Sequence, residues 1–217
     1  MTLTIIYLAV ILYSSIIGLI KFRRLDVPFK VLTLLLMGTF VSETISTISL
    51  YVFRNNSLNG KIYLSFHIII FGILYYYLFE KRGLRTMIAV ITVIFFILSL
   101  IFEFVNALPV LPSYMIMVQS LLLVVYSILY FFKLFRAPTE QEIINTAKLW
   151  FNSSVLIYFS SSFVIWASFY YLYSHKRVFL DLNLILTLLN IFHYSLFGIS
   201  LFLYKLNSNP VVDGKDH

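Results

Sequence analysis

The chain has 217 residues, is 61% hydrophobic and 12% charged, and combines a formal net charge of +7 with a mean hydropathy of +0.94. A soluble domain needs roughly 25% charged residues to solvate its surface, so this composition places most of the surface against lipid. The absence of cysteine excludes disulfides, thiolate metal sites and cysteine nucleophiles. The modest positive charge lies in short runs and reads as membrane orientation, not as a nucleic-acid footprint.

A membrane-spanning helix needs about 20 apolar residues, and seven segments meet that demand. They are expected over residues 3–20, 27–53, 62–79, 86–102, 112–132, 140–173 and 182–204, within one transmembrane domain of residues 1–206. The first segment follows Met1 and Thr2 without the basic region or cleavage site of a signal peptide, so it is expected to stay in the membrane. Asp26 followed by Pro28 marks the start of the second helix. Thr139 followed by Glu142 reads as a capping box, which starts the sixth helix near Glu140, ahead of its apolar stretch. Tyr75, Tyr76, Tyr77 and Trp150 fall at one interface and Tyr170, Tyr171 and Tyr173 at the other, as anchors. The remaining aromatics are expected to pack against lipid. Residues 207–217 form a short polar tail, and the segments leave no room for a soluble catalytic domain. All five prolines lie in loops, at segment ends or in the tail, without the matched helix interruptions of many transporters. No Gly-x-x-x-Gly pair marks a dimerisation face.

Lysine and arginine alternate between the two sides. Lys21, Arg23, Arg24, Lys30, Lys81, Arg82, Arg85, Lys133, Arg136, Lys148, Lys205 and Lys215 fall on one side, twelve residues in all, against Arg54, Lys61, Lys176 and Arg177 on the other. Cytoplasmic loops collect such residues, so the expected architecture is an all-α, polytopic seven-helix bundle with its N-terminus outside and its C-terminus cytosolic.

The second helix carries one costly residue. Glu43 lies about ten residues from the outer end, so about 15 Å down, where a carboxylate must be paired, neutralised or wetted. Thr39, Glu43, Ser46 and Thr47 recur at i, i+4, i+7 and i+8, a polar stripe on one face. The seventh helix has a similar stripe in Asn183, Thr187, Asn190 and Tyr194, beside His193. His67 enters the third helix about 8 Å deep, and Gln119 lies early in the fifth. Stripes on separate helices cannot both face lipid, so a polar core is expected in the outer and middle thirds of the bilayer. Its candidate binding residues are Glu43, His67, Gln119, Asn190, His193, Thr39 and Thr47, with His67 or His193 expected to partner Glu43. Helix-packing glue is the plain alternative for the hydroxyls and amides. Glu80 and Glu103, at helix ends, need only interfacial solvation.

The layout resembles small seven-helix integral membrane proteins of bacteria and stand-alone seven-helix sensory regions, with Arg24-Leu-Asp26-Val-Pro28-Phe-Lys30 leading to Glu43 carrying the likeness. The resemblance implies a multi-pass protein of a bacterial inner membrane, a small-molecule ligand entering from outside, and a cytosolic or membrane signalling partner for output. Retinal proteins need a lysine in the seventh helix, which residues 182–204 lack. Rhodopsin-like receptors need an acidic-Arg-Tyr motif and Asn-Pro-x-x-Tyr, in place of which stand Leu78-Phe79-Glu80-Lys81-Arg82 and Asn190-Ile-Phe-His193-Tyr194.

Three functions follow. The first is a small-molecule sensing or binding module acting with a partner. The second is a proton or ion channel or carrier using Glu43 and the histidines. The third is an intramembrane metal hydrolase in which Glu43, His67 and His193 bind zinc, although the His-x-x-x-His pair of ceramidase-like and adiponectin-receptor-like enzymes is missing from the seventh helix. The leaning is toward a non-enzyme, and no cofactor is expected.

Overall fold

A computed structural model describes residues 2–54, 57–105, 113–136, 146–168 and 176–204. Among them there are seven α-helices and no strand: α1 (Thr2–Lys21), α2 (Val27–Phe53), α3 (Ser57–Leu78), α4 (Arg82–Val105), α5 (Ser113–Arg136), α6 (Thr146–Ala167) and α7 (Lys176–Leu203). Six are long and apolar enough to cross a membrane, and the apolar run of α3, Ile62–Leu78, is shorter. The chain is therefore a multi-pass, membrane-embedded helical protein. Apolar side chains cover its outside, as at Ile20, Phe53 and Val93, an arrangement that only a lipid solvent makes favourable.

The helix starts and ends have local causes. Asp26 caps α2, its Oδ1 accepting from the Phe29 amide at 3.3 Å, and Pro28 sits in the first turn, where its missing N–H costs nothing. Burial pushes the Asp26 carboxyl up, and nearby Lys148 and Lys30 pull it back toward ionisation. Helix α2 spans the expected residues. Helices α3, α4 and α7 each begin four to six residues before their expected apolar starts, at Ser57, Arg82 and Lys176, because helix propensity and backbone bonding carry the helix beyond its lipid-facing part. The expected Thr139–Glu142 capping box, the tyrosines at 170, 171 and 173, and the Glu103 side chain lie outside the described residues.

Helix α3 stands at the centre. Its backbone packs against α2 and α4, and more distantly α5. Its large side chains reach further: His67 and Phe71 meet Phe159 of α6 at 5.8 and 5.5 Å between ring centres, and Phe71 meets Phe197 of α7 at 6.4 Å. Helices α5, α6, α7, α1 and α2 follow one another around it, each packed on the next, and α1 meets α7 to close that side. Helix α4 lies outside, with Ile88, Thr92, Phe95 and Ser99 as its one buried stripe.

Tyr75 was expected at an interface and is instead fully buried in the core. Its hydroxyl donates to Oδ1 of Asn152 at 2.9 Å, Asn152 Nδ2 donates to the Ser127 carbonyl at 3.0 Å, and Ser127 Oγ donates to the Asn152 carbonyl at 3.1 Å. Three helices, α3, α5 and α6, are thus tied by side chains whose polar atoms are satisfied. Close helix contacts use glycine against a hydroxyl residue. A Cβ added to Gly18 meets Thr33 Oγ1 at 2.5 Å, one added to Gly198 meets Ser14 Oγ at 2.6 Å, and one on Gly72 collides with the Thr92 side chain. Small residues let helix backbones approach closely in lipid, so the missing Gly-x-x-x-Gly motif did not mean missing glycine contacts.

Replacing Asn152 by Ala leaves the buried Tyr75 hydroxyl without its acceptor, so unfolding in detergent should become easier by about 1–3 kcal/mol. Gly72→Ala, which forces α3 and α4 apart, should cost a similar 1–3 kcal/mol. Denaturant titration followed by circular dichroism measures both, and two unchanged midpoints refute the packing described.

Candidate functional site

Because the helices alternate in direction, the start of α1, the end of α2 and the starts of α3, α5 and α7 share one end of the bundle with the end of α6. In that half lies a cavity of about 210 Å³. Six of the seven helices line it: Tyr7 from α1, Glu43 from α2, Tyr63 and His67 from α3, Gln119 from α5, Tyr158 and Trp166 from α6, and Asn190 and Tyr194 from α7. It is smaller than the roughly 300–1,000 Å³ of drug-sized sites.

Glu43 is half-buried and faces this cavity, not lipid. Tyr7 of α1 lines the same cavity and is the side chain coupled most closely to the Glu43 carboxyl group. The expected partner was a histidine, and both histidines are engaged elsewhere. His67 Nδ1 accepts from Gln119 Nε2 at 2.7 Å, while the buried Oε1 of Gln119 has no hydrogen-bond partner. His193 Nδ1 lies 2.7 Å from Ser154 Oγ and 3.3 Å from the Ser154 carbonyl. Ser154 Oγ in turn lies 3.0 Å from the His193 carbonyl. A carbonyl can only accept, so the serine proton goes to the His193 carbonyl and the imidazole proton sits on Nδ1. Nε2 is then a bare acceptor, buried without a partner. His193 lies outside the cavity lining, stacked on Tyr158 with ring centres 4.3 Å apart.

Thr39 and Thr47 behave differently although they share one helix face. Thr47 Oγ1 donates to the Glu43 carbonyl at 2.8 Å, an intrahelical bond. Thr39 Oγ1 donates to the Leu35 carbonyl at 2.9 Å and also lies 3.0 Å from the Tyr63 hydroxyl, which lies 3.4 Å from the Tyr194 hydroxyl. The single Thr39 proton is committed to Leu35, so Tyr63 donates to Thr39 and Tyr194 to Tyr63. The chain runs one way and ends on a backbone carbonyl. Asn59 Nδ2 ties the start of α3 to the middle of α2 by donating to the Ser42 carbonyl at 2.9 Å.

Toward the opposite end the cavity gives way to aromatic packing. Phe159 lies 5.8 Å from the His67 ring and 5.9 Å from the His193 ring, and below it Phe71, Phe151 and Phe197 are fully buried. Among the described residues no three His, Asp or Glu side chains group closely enough to hold a metal ion. The zinc set of Glu43, His67 and His193 is therefore not assembled.

Sequence reasoning missed Tyr7, Tyr63, Tyr158, Trp166 and Asn152. Tyr7 had a readable signal: with Ile11, Ser14, Ser15 and Gly18 it forms the buried stripe of α1 at i, i+4, i+7, i+8 and i+11. Three small residues on one face of an apolar helix mark a helix contact, and the tyrosine lies on that same face. Asn152 carried no local signal beyond being an amide in a spanning helix.

Comparisons with protein-family models, with curated proteins and with solved structures each find no match. Geometry and chemistry alone therefore carry the functional reading.

The tyrosine chain can be tested by a double-mutant cycle between Thr39→Val and Tyr63→Phe. A coupling of about 0.5–1.5 kcal/mol in unfolding free energy is expected for a direct hydrogen bond. Additive effects of the two substitutions contradict the bond.

Proposed function

We propose that the protein is a small-molecule binding module of a membrane, with the cavity around Glu43 as its binding site and a partner protein taking its output. The observation that carries this reading is a cavity lined by six helices and closed on its inner side by the aromatic layer of Phe71, Phe151, Phe159 and Phe197. A channel or proton path needs polar continuity across the bundle. Here the histidines bond Gln119 and Ser154, and the Tyr194–Tyr63–Thr39 chain ends on a carbonyl. These arrangements favour a pocket over a wire. The site residues of this reading are Glu43, Tyr7, His67, Gln119 and Asn190, with Thr39 holding Tyr63 in place.

The excess of lysine and arginine at the end remote from the cavity supports a cytosolic position for that end, and so a binding site open to the outside. The partner is assigned to the basic, cytosolic end. Seven spans, with the N-terminus outside, complete this reading.

A library of small molecules screened by thermal shift on purified protein should yield stabilising compounds. Asn190→Phe, which fills the cavity from its half-exposed lining, should abolish their effect while leaving the unliganded midpoint within a few degrees. Stabilisation that persists in Asn190→Phe places binding elsewhere. Orientation is open to a clean test, because the chain has no native cysteine. A membrane-impermeant maleimide should label Ala167→Cys in intact cells and leave Gly83→Cys unlabelled until lysis. The reverse pattern overturns the orientation.

A further inference from the structure

We infer that the cavity selects a small organic ammonium ion, a protonated amine whose charge pairs with Glu43. The inference rests on the pocket reading above and adds the class of ligand.

Charge comes first. Glu43 is the one carboxyl group among the described lining residues, which include no lysine, arginine or aspartate. The side chain coupled to it, Tyr7, is a neutral phenol. An ionised carboxylate in such a place lacks a counter-charge, and a cation entering the cavity supplies one. An anionic ligand is disfavoured for the same reason.

The walls point the same way. Tyr7, Tyr63, Tyr158, Phe159, Trp166 and Tyr194 surround the space, and aromatic faces attract ammonium groups through the ring quadrupole, tryptophan most strongly. Such walls also replace part of the hydration that an organic cation loses more easily than a metal ion does. Carboxylate and aromatic walls are both complementary to one chemical group. The volume of about 210 Å³ limits the ligand to one ring or a short chain.

The test compares benzylamine, protonated at neutral pH, with its neutral isostere benzyl alcohol. Binding is measured calorimetrically on the full chain in lipid nanodiscs, with empty nanodiscs as reference. The amine should bind about tenfold or more tightly than the alcohol, the discrimination expected of a hydrogen bond to a charged group. In Glu43→Gln, which keeps the side-chain shape, that preference should fall to near one. The wild-type comparison stands by itself should the variant fold poorly. Equal binding of both probes to the wild type overturns the ammonium assignment and leaves the pocket reading intact. Binding of neither probe overturns the ammonium assignment and counts against the pocket as well. An amine preference that survives in Glu43→Gln removes Glu43 as the charge partner and overturns the inference.

Discussion

The burial of α3 on nearly all its sides is the constraint on which the rest of the structure depends. A peripheral membrane helix can turn polar groups inward and apolar groups toward lipid, but a central helix has little lipid-facing surface. Among the described side chains of α3 only a narrow row, Ile62, Phe66, Ile73 and Tyr77, is exposed. Every polar residue elsewhere on it must find a partner on another helix, and the partners differ by level. Tyr63 meets Thr39 and Tyr194, Ser65 meets Ser99, His67 meets Gln119, and Tyr75 meets Asn152. These bonds fix the rotation of α3 and, with it, the position of every helix that lends a partner.

The same constraint sorts the levels of the bundle. At the Tyr75 level each polar atom is satisfied within the protein, so the network there is structural. Nearer the cavity the side chains are less fully paired, since the buried amide oxygen of Gln119 and Nε2 of His193 have no partner. The aromatic layer at Phe159 and Phe197 separates the two levels and keeps the site one-sided.

Much of the architecture was legible because lipid imposes simple rules. Apolar length gave the helices, and the Asp26–Pro28 pair gave the start of α2. The inward face of α2 followed from Glu43 itself, since a carboxylate has no tolerable place in lipid. The choice of partner was not legible. Tyrosine serves equally as interfacial anchor, lipid-facing filler and buried donor, and position along one helix does not distinguish these roles. Tyr75 lies at the depth expected of an anchor but on the inward side, and Tyr7 partners Glu43 only because α1 packs between α2 and α7. Neighbourhood around a bundle is set by packing among all helices, which no single segment encodes. The difference between Thr39 and Thr47 has the same origin: both sit on one face of α2, and only Thr39 is level with a tyrosine of α3.

The closure of α1 on α7 bears on how the protein is made. Ser14 donates to the Tyr194 carbonyl, Lys21 donates to the carbonyls of Leu201 and Phe202, and the Asp26 amide donates to the Tyr204 hydroxyl. All these groups belong to α1 and the turn after it, and all their acceptors belong to α7 and the residue that follows it. While the chain is still emerging from the ribosome, the inward face of α1 has no permanent neighbour except α2. Assembly then ends in a single late step that completes the core and forms the cavity, since Tyr7 and Tyr194 come together only at that moment. Truncated or stalled chains, however nearly complete, lack both.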